Sequence, residues 1–276
     1  MTGDDQGRAA AGNRSARRAA QVLKVLGECG MSMGVSQISR ELDVSPPTVY
    51  RLLVALKAEG LVDQNPDTQK YGISVELFAL GRAAVRSMGF GERVREELSQ
   101  LAQRVGETVN FGVIRRNRVI YLQSIESEKP LRAGVKVGSM LPAHVTAIGK
   151  VILAYSGSEA VEDYLEQVPL EPHTPASVVD ADTLRKRLAQ IKKDGFTLDD
   201  EECHVGVRAV GAPLHDGTGQ VIAGIAITGP STRLTDDGLP SLVSELTATA
   251  RTISRQLGYF EEYSSEVSPL SQLGVS

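Results

Sequence analysis

The chain has 276 residues, 41 % of them hydrophobic, and a formal net charge of −4. No run of about 18 apolar residues occurs and residues 1–20 carry no charged-then-apolar leader, so the pattern excludes a membrane span and predicts a soluble, cytoplasmic protein with no membrane partner. The absence of tryptophan and an aromatic content of 4 % disfavour a protein that stacks single-stranded bases, and two cysteines, Cys29 and Cys203, fit a reducing compartment as packing residues.

Residues 1–12 are rich in Gly, Ala and Asp without apolar periodicity and are expected to form a disordered tail. A helix is expected over 15–29, with Ala19, Val22, Leu23 and Leu26 on one face and Gly30 at its end. In the next stretch, VSQISRELDVSPPTVYRLLVALKAEG, Val35, Ile38 and Leu42 recur at helical spacing, and after a break so do Val49, Leu52, Leu53 and Leu56. Asp43 and Val44 supply the turn, Ser45 is placed to cap the second helix, Pro46 and Pro47 sit where a missing N–H costs nothing, and Gly60 provides a left-handed ending. With the apolar stripe turned inward, Ser45, Pro47, Thr48, Tyr50 and Arg51 form the opposite, N-terminal face, as in a recognition helix that meets base edges. Spacing alone also permits a helical hairpin in an all-α bundle.

Two neighbouring features favour DNA. Residues 61–64 and 69–73 read as two short strands around an Asn-Pro-Asp-Thr turn, a wing directly behind the second helix, with Gln69 and Lys70 placed to touch phosphates. Charge is segregated too: from Arg8 to Lys57 there are eight basic residues (Arg8, Arg14, Arg17, Arg18, Lys24, Arg40, Arg51, Lys57) against three acidic ones (Glu28, Glu41, Asp43). A basic head on an acidic body is expected, with Arg14, Arg17 and Arg18 on the phosphate backbone. The head is assigned to 13–74 and a linker helix to 75–90, with Leu77, Leu80, Ala84 and Val85 or Met88 as its apolar positions.

A second domain over 91–260 opens with a helix at 92–105. Strands are expected at 108–114, 119–125 and 131–137, helices at 146–155, 158–167 and 181–194, strands at 196–198, 205–214 and 221–228, and a last helix at 237–257. Residues 261–276 read as a loose tail.

Catalysis is disfavoured. Asp199 to His204 crowd acids beside a Cys-His pair, but neighbours on an extended strand point to opposite faces, so Cys203 and His204 cannot share a proton without a bend. His144, His173, His204 and His215 have no metal-ligand spacing, and the Gly211–Gly219 stretch lacks the Gly-Lys-Ser/Thr of a phosphate loop. No catalytic residue, metal or cofactor is expected. The competing possibility is a small-molecule enzyme whose winged helix serves docking or dimerisation.

The segments SPPTVYRLL (45–53) and EGLV (59–62), with GSMLPAHVTAIGKVILA (138–154), DGFTLDDEECHVG (194–206) and the small-residue strand 209–230, resemble transcription factors of the isocitrate lyase regulator (IclR) type, in the family's order across residues 15–258. The resemblance implies an α+β chain: a winged helix-turn-helix head, a linker helix and a GAF-like antiparallel-sheet effector domain. It also implies homodimers joined through the heads, often paired into tetramers, binding palindromic operators in double-stranded DNA, and a small organic acid as effector.

Period-2 alternation puts Val207, Ala209 and Gly211 on one face of a strand and Gly224, Ala226 and Thr228 on one face of the next, leaving a small-residue surface with room for a guest. A helix beginning near Thr146 would offer it the amides of Ala147, Ile148 and Gly149 for a carboxylate. The resemblance adds Leu141 and Asp199 to that pocket, and His144 lies at its expected mouth. Where small-acid sensors of the family carry a thiol and two hydroxyls, this chain has Ala209, Ala226 and Thr228. The guest is therefore expected to be larger or more apolar than a two- or three-carbon keto acid, such as an aromatic acid.

Overall fold

The computed structural model describes residues 3–87 and 89–260, and the chain divides into two units, 1–88 and 89–276. In the first, helices α1 (Gly3–Cys29), α2 (Val35–Leu42) and α3 (Pro46–Ala58) are followed by strands β1 (Val62–Gln64) and β2 (Tyr71–Ile73) and helix α4 (Glu76–Ser87). Val22 and Leu26 from α1, Ile38 from α2, Val49, Leu53 and Leu56 from α3, and Val62 and Tyr71 from the wing form one buried cluster. Each such aliphatic side chain contributes roughly 1.5–3 kcal/mol by leaving water. The tail expected over 1–12 is instead helical from Gly3 onward, as the first part of α1; the run Ala9-Ala10-Ala11 has high helix propensity even without an apolar stripe. The expected tail at 261–276 lies outside the described residues.

Turn chemistry fixes the hairpin of α2 and α3. Asp43 adopts a left-handed conformation (φ 51°) as the C-cap of α2, and Ser39 Oγ donates to the Val44 carbonyl at 2.6 Å. Gly60, at φ +68°, ends α3 as expected. In the wing, β1 and β2 are antiparallel, and Met33 and Tyr71 exchange two backbone hydrogen bonds of 2.8 Å that tie the wing to the segment before α2. Helix α4 has no buried residue within its unit, and Phe78 is 66 % exposed.

The second unit comprises α5 (Glu92–Val105), β3 (Thr108–Arg115), β4 (Arg118–Ile125), β5 (Met140–Pro142), a 3-10 turn (Ala143–Val145), α6 (Ala147–Tyr155), α7 (Ser158–Gln167), α8 (Ala181–Asp194), β6 (Thr197–Asp200), β7 (Val207–His215), β8 (Val221–Pro230) and α9 (Leu239–Gln256). The strands form one antiparallel sheet in the order β5-β4-β3-β8-β7-β6. Cross-strand register separates its faces. One carries Val109, Phe111, Val113, Val210, Leu214 and Ile225, buried against α5 and α9; the other carries Thr108, Asn110, Gly112, Ala209, Gly211, Gly224, Ala226 and Thr228, and α6 lies on it.

The strand expected at 131–137 is absent: the chain there has no strand, and the edge strand is instead β5, pairing Leu141 with Val119. Leu131 and Val137 point to solvent, and of that stretch's large apolar side chains only Val135 packs against the core, so the alternation there is not matched by a buried strand face.

Candidate nucleic-acid interface and effector site

The buried stripe of α3 (Val49, Leu53, Leu56) leaves Pro47, Tyr50, Arg51 and Val54 outward at i, i+3, i+4 and i+7. Tyr50 is 53 % and Val54 47 % exposed. Ser45 is exposed and Thr48 half-buried. Ser45 occupies the N-cap position, yet its hydroxyl makes no capping bond: Oγ lies 3.0 Å from Thr48 Oγ1, and the cap is closed by the Ser45 carbonyl, which accepts from Thr48 N–H and Val49 N–H. Val54 is not among the residues the sequence pattern singles out, because it is apolar; strict helical period places it on the Arg51 face, where an aliphatic group suits a thymine methyl.

Arg14 and Arg17 on α1 are exposed, Arg18 half-buried, and Lys70 exposed at the wing. Gln69 differs from expectation. Its Nε2 donates to the Pro66 carbonyl at 2.7 Å and its Oε1 accepts from Gln64 Nε2 at 2.9 Å, so the side chain braces the turn while Asn65 Oδ1 accepts from the N–H groups of Asp67 and Thr68. Lys70, the cation beside it, remains exposed on the wing.

In the second unit the small-residue face is met by α6. A side-chain carbon at Gly211 would fall 2.9 Å from the Ala147 carbonyl oxygen, and one at Gly224 would fall 3.2 Å from Ile148 and Val151. Ala209 and Ala226 belong to the same packed cluster as Ala147 and Ile148. The room expected over these strands is therefore largely what lets the helix approach. Thr146 caps α6 by accepting from Gly149 N–H at 3.2 Å, so the Gly149 amide is engaged and those of Ala147 and Ile148 remain at the first turn.

His144 is buried, not at an open mouth. Its Nδ1 lies 2.8 Å from Tyr164 Oη, its Nε2 3.3 Å from the Glu171 carbonyl, and burial lowers its pKa. It braces the 3-10 turn before α6. Leu141 is half-buried against the cluster around α6, and Val207 is half-buried at the start of β7.

Beside Ala209 the face becomes polar. Asp199 stands opposite Ala209 across the β6–β7 pair, and its Oδ1 accepts from Glu202 N–H at 2.8 Å. Burial raises its pKa to about 6, with Lys150 opposing. Asn110 Nδ2 donates to Thr228 Oγ1 at 3.0 Å, and Ser124 Oγ to Asn110 Oδ1 at 2.8 Å. Tyr121 from β4 is near enough to Asp199 and Cys203 for both to raise its pKa, behind the larger effect of burial. Asn110, Ser124 and Tyr121 have no signal in the sequence, since strand pairing alone gathers them.

Behind this patch Lys150 Nζ pairs with Glu202 Oε1 at 2.5 Å, both side chains fully enclosed, and Arg187 reaches the same oxygen at 2.6 Å from the surface. Glu202 Oε2 is buried without a partner among the described residues. Cys203 is buried while the neighbouring His204 is exposed, and burial pushes the Cys203 thiol up to about 12, the opposite of an activated nucleophile. A cleft of about 370 Å3 beside α9, lined by Phe196, Ala212, His215 and Ala250 among others, contains none of the expected effector residues.

A winged helix-turn-helix with an outward polar face, together with a sheet domain that gathers polar groups under a helix, defines a DNA-binding regulator with a sensor domain. Comparison with known proteins agrees. Residues 15–66 match the IclR helix-turn-helix domain and residues 82–255 the bacterial transcriptional regulator IclR C-terminal domain. The chain is 31 % identical over 246 residues to the HTH-type transcriptional regulator XynR of Escherichia coli, covering 89 % of this chain and 98 % of that protein. Among solved structures it is similar to the IclR of Thermotoga maritima, at 28 % identity and a TM-score of 0.70 over 89 % of this chain and 99 % of that one. It also shares its fold with an IclR homolog from Microbacterium hydrocarbonoxydans complexed with 4-hydroxybenzoate, at 23 % identity and a TM-score of 0.76 over 88 % and 98 %. The protein belongs to the IclR family of transcriptional regulators, with a helix-turn-helix DNA-binding domain and a C-terminal effector domain, and the relatives it matches are named as transcriptional regulators.

Proposed function

We propose that this regulator binds a palindromic operator as a homodimer, or as a pair of dimers, in the cytoplasm, and that a small organic acid in its second domain changes operator affinity. Ser45, Pro47, Thr48, Tyr50, Arg51 and Val54 enter the major groove, and Arg14, Arg17, Arg18 and Lys70 hold phosphates, with Gln69 shaping the wing. The exposed apolar side chains of α4, Phe78 and Leu80 foremost, support self-association of the heads. In the second domain the effector is held by Leu141, the amides of Ala147 and Ile148, Asp199, Val207, Ala209, Ala226 and Thr228, while His144 fixes the turn that carries α6.

The observation that carries the reading is the outward Pro47-Tyr50-Arg51-Val54 face on a helix whose other side is the core of the head. Ala209 and Ala226, apolar where small-acid sensors are polar, favour an aromatic acid over a short keto acid, and the complex of the Microbacterium homolog with 4-hydroxybenzoate is in keeping with that class. A footprint on DNA upstream of the gene tests the reading, with affinity falling steeply as salt rises because the phosphate contacts release counterions. Binding that shows no protected site above the non-specific level would contradict it.

A further inference from the structure

If the second domain takes an organic acid as proposed, two buried groups decide the ionic state in which that acid binds. Asp199 and Tyr121 are 5 % and 6 % exposed. Asp199 uses only Oδ1 within the chain, accepting from the N–H groups of Glu202 and Cys203 at 2.8 and 3.4 Å. Neither its Oδ2 nor the Tyr121 hydroxyl is hydrogen-bonded to a described residue, so two largely buried side chains within electrostatic reach of each other keep an acceptor and a donor open to a partner. Asp199 pairs with Ala209 on β7, and Ala147 packs over Gly211, two residues further along the same strand. The first-turn amides of α6 and the Asp199 carboxylate thus border one patch.

Charge around that patch is already in balance. Lys150 of α6 gives its ammonium to Glu202 Oε1 at 2.5 Å and to the Leu198 carbonyl at 3.2 Å. Arg187 of α8 spends its nearest nitrogen on the same Glu202 oxygen. From β4, Tyr121 brings no charge, and neither does the Cys203 thiol. His144, in the turn before α6, is held toward its neutral form by burial. A further carboxylate arriving with an acid ligand therefore meets two carboxylates and no unengaged cation, which is costly in a buried site.

We propose that an organic-acid effector is bound together with one proton from solvent, taken up by Asp199, and that the neutral Asp199 carboxyl and the Tyr121 hydroxyl then donate hydrogen bonds to the ligand. The ligand's negative charge and the proton cancel, so the patch keeps its net charge. Burial already holds Asp199 near pH 6, so at pH 7.5 the free protein carries it ionised and the proton has to be acquired on binding. Asp199 and Tyr121 are in this way specificity-determining residues that favour monocarboxylates; a dicarboxylate of similar size would need a second proton.

Isothermal titration calorimetry of the full chain with 4-hydroxybenzoate, benzoate, hexanoate and pyruvate, between pH 6 and 8.5 in buffers of different ionisation enthalpy, tests this. The expected result is uptake of one proton per acid at pH 7.5 and an affinity that falls about tenfold per pH unit above the Asp199 midpoint. Asp199→Asn should bind with a flat pH profile, and Tyr121→Phe should weaken binding at every pH while keeping the slope. An acid that binds the wild-type chain with pH-independent affinity and no proton uptake would overturn the inference, whatever the variants do. Failure of all four acids to bind at any pH would overturn the organic-acid reading and the inference with it, a result separate from binding without a proton.

Discussion

The head carries its chemistry outside its core, whereas the sheet domain carries it inside. In the head the residues assigned to DNA are solvent-exposed or half-buried, and none of them belongs to the core cluster of Val22, Ile38, Val49 and Leu53. In the second domain the polar groups of interest, Lys150, Asp199, Glu202, Asn110 and Tyr121, are themselves buried. Function and stability are therefore separable in the head and entangled in the effector domain. An exposed side chain changes what DNA is bound, whereas a buried polar one also changes whether the domain folds.

That contrast can be broken most severely at Lys150. Lys150→Met removes the buried partner of Glu202, and unfolding of the full chain in urea should show a loss of about 3–5 kcal/mol confined to the transition of the second unit. A loss below about 1 kcal/mol would mean that Arg187 alone suffices for Glu202. At the head, Arg51→Ala should weaken operator binding by about 1–3 kcal/mol with the melting temperature unchanged. Unaltered specific binding in a gel shift would remove α3 from the groove.

The smallest effect sharpens the comparison by pH. The Asp199 carboxyl has a raised pKa of about 6, so the folded chain binds its proton before the unfolded chain does as pH falls. Its ionised form therefore costs stability above pH 6, and that cost disappears as the pH drops through 6 toward the unfolded value. Asp199→Asn, which keeps an acceptor for the Glu202 amide, should be more stable than the wild type at pH 7.5 by about 1 kcal/mol, roughly 2–4 °C in Tm. Differential scanning calorimetry at pH 7.5 and 5 should show the gap closing at the lower pH; a gap of the same size at both would assign the effect to packing.

The same contrast governs how much can be read from the sequence. The head is legible because its contacts are local: a 3.6 period, a left-handed Gly60 and a Pro-Pro helix start locate α2, α3 and the outward Tyr50 and Arg51 without long-range information. Helices α5 to α8 are legible for the same reason. The strand expected at 131–137 fails because alternation records only which residues could face a core, and no strand pairs with that stretch. Ser45 and Gln69 differ in detail because each has a nearer partner, Thr48 and the wing turn, than the one spacing suggests. The effector patch is half legible. Period-2 alternation finds Ala209, Ala226 and Thr228, yet Asn110 meets Thr228 across 118 positions and Lys150 meets Glu202 across 52, separations at which composition and spacing carry no signal. His144 illustrates the limit: its place beside Pro142 suggests a pocket mouth, and only Tyr164, 20 residues on, turns it into a brace.

The most direct test of the whole account joins the two domains. Operator affinity of the full chain, followed by fluorescence anisotropy on the upstream DNA, should shift by a factor of about 5–150 when 4-hydroxybenzoate or another acid that binds the second domain is added, the range in which coupled sites commonly respond. The DNA should in turn shift the affinity for that acid by the same factor. An acid that binds the second domain while leaving operator affinity unchanged at saturation would contradict the claim that this patch controls the head.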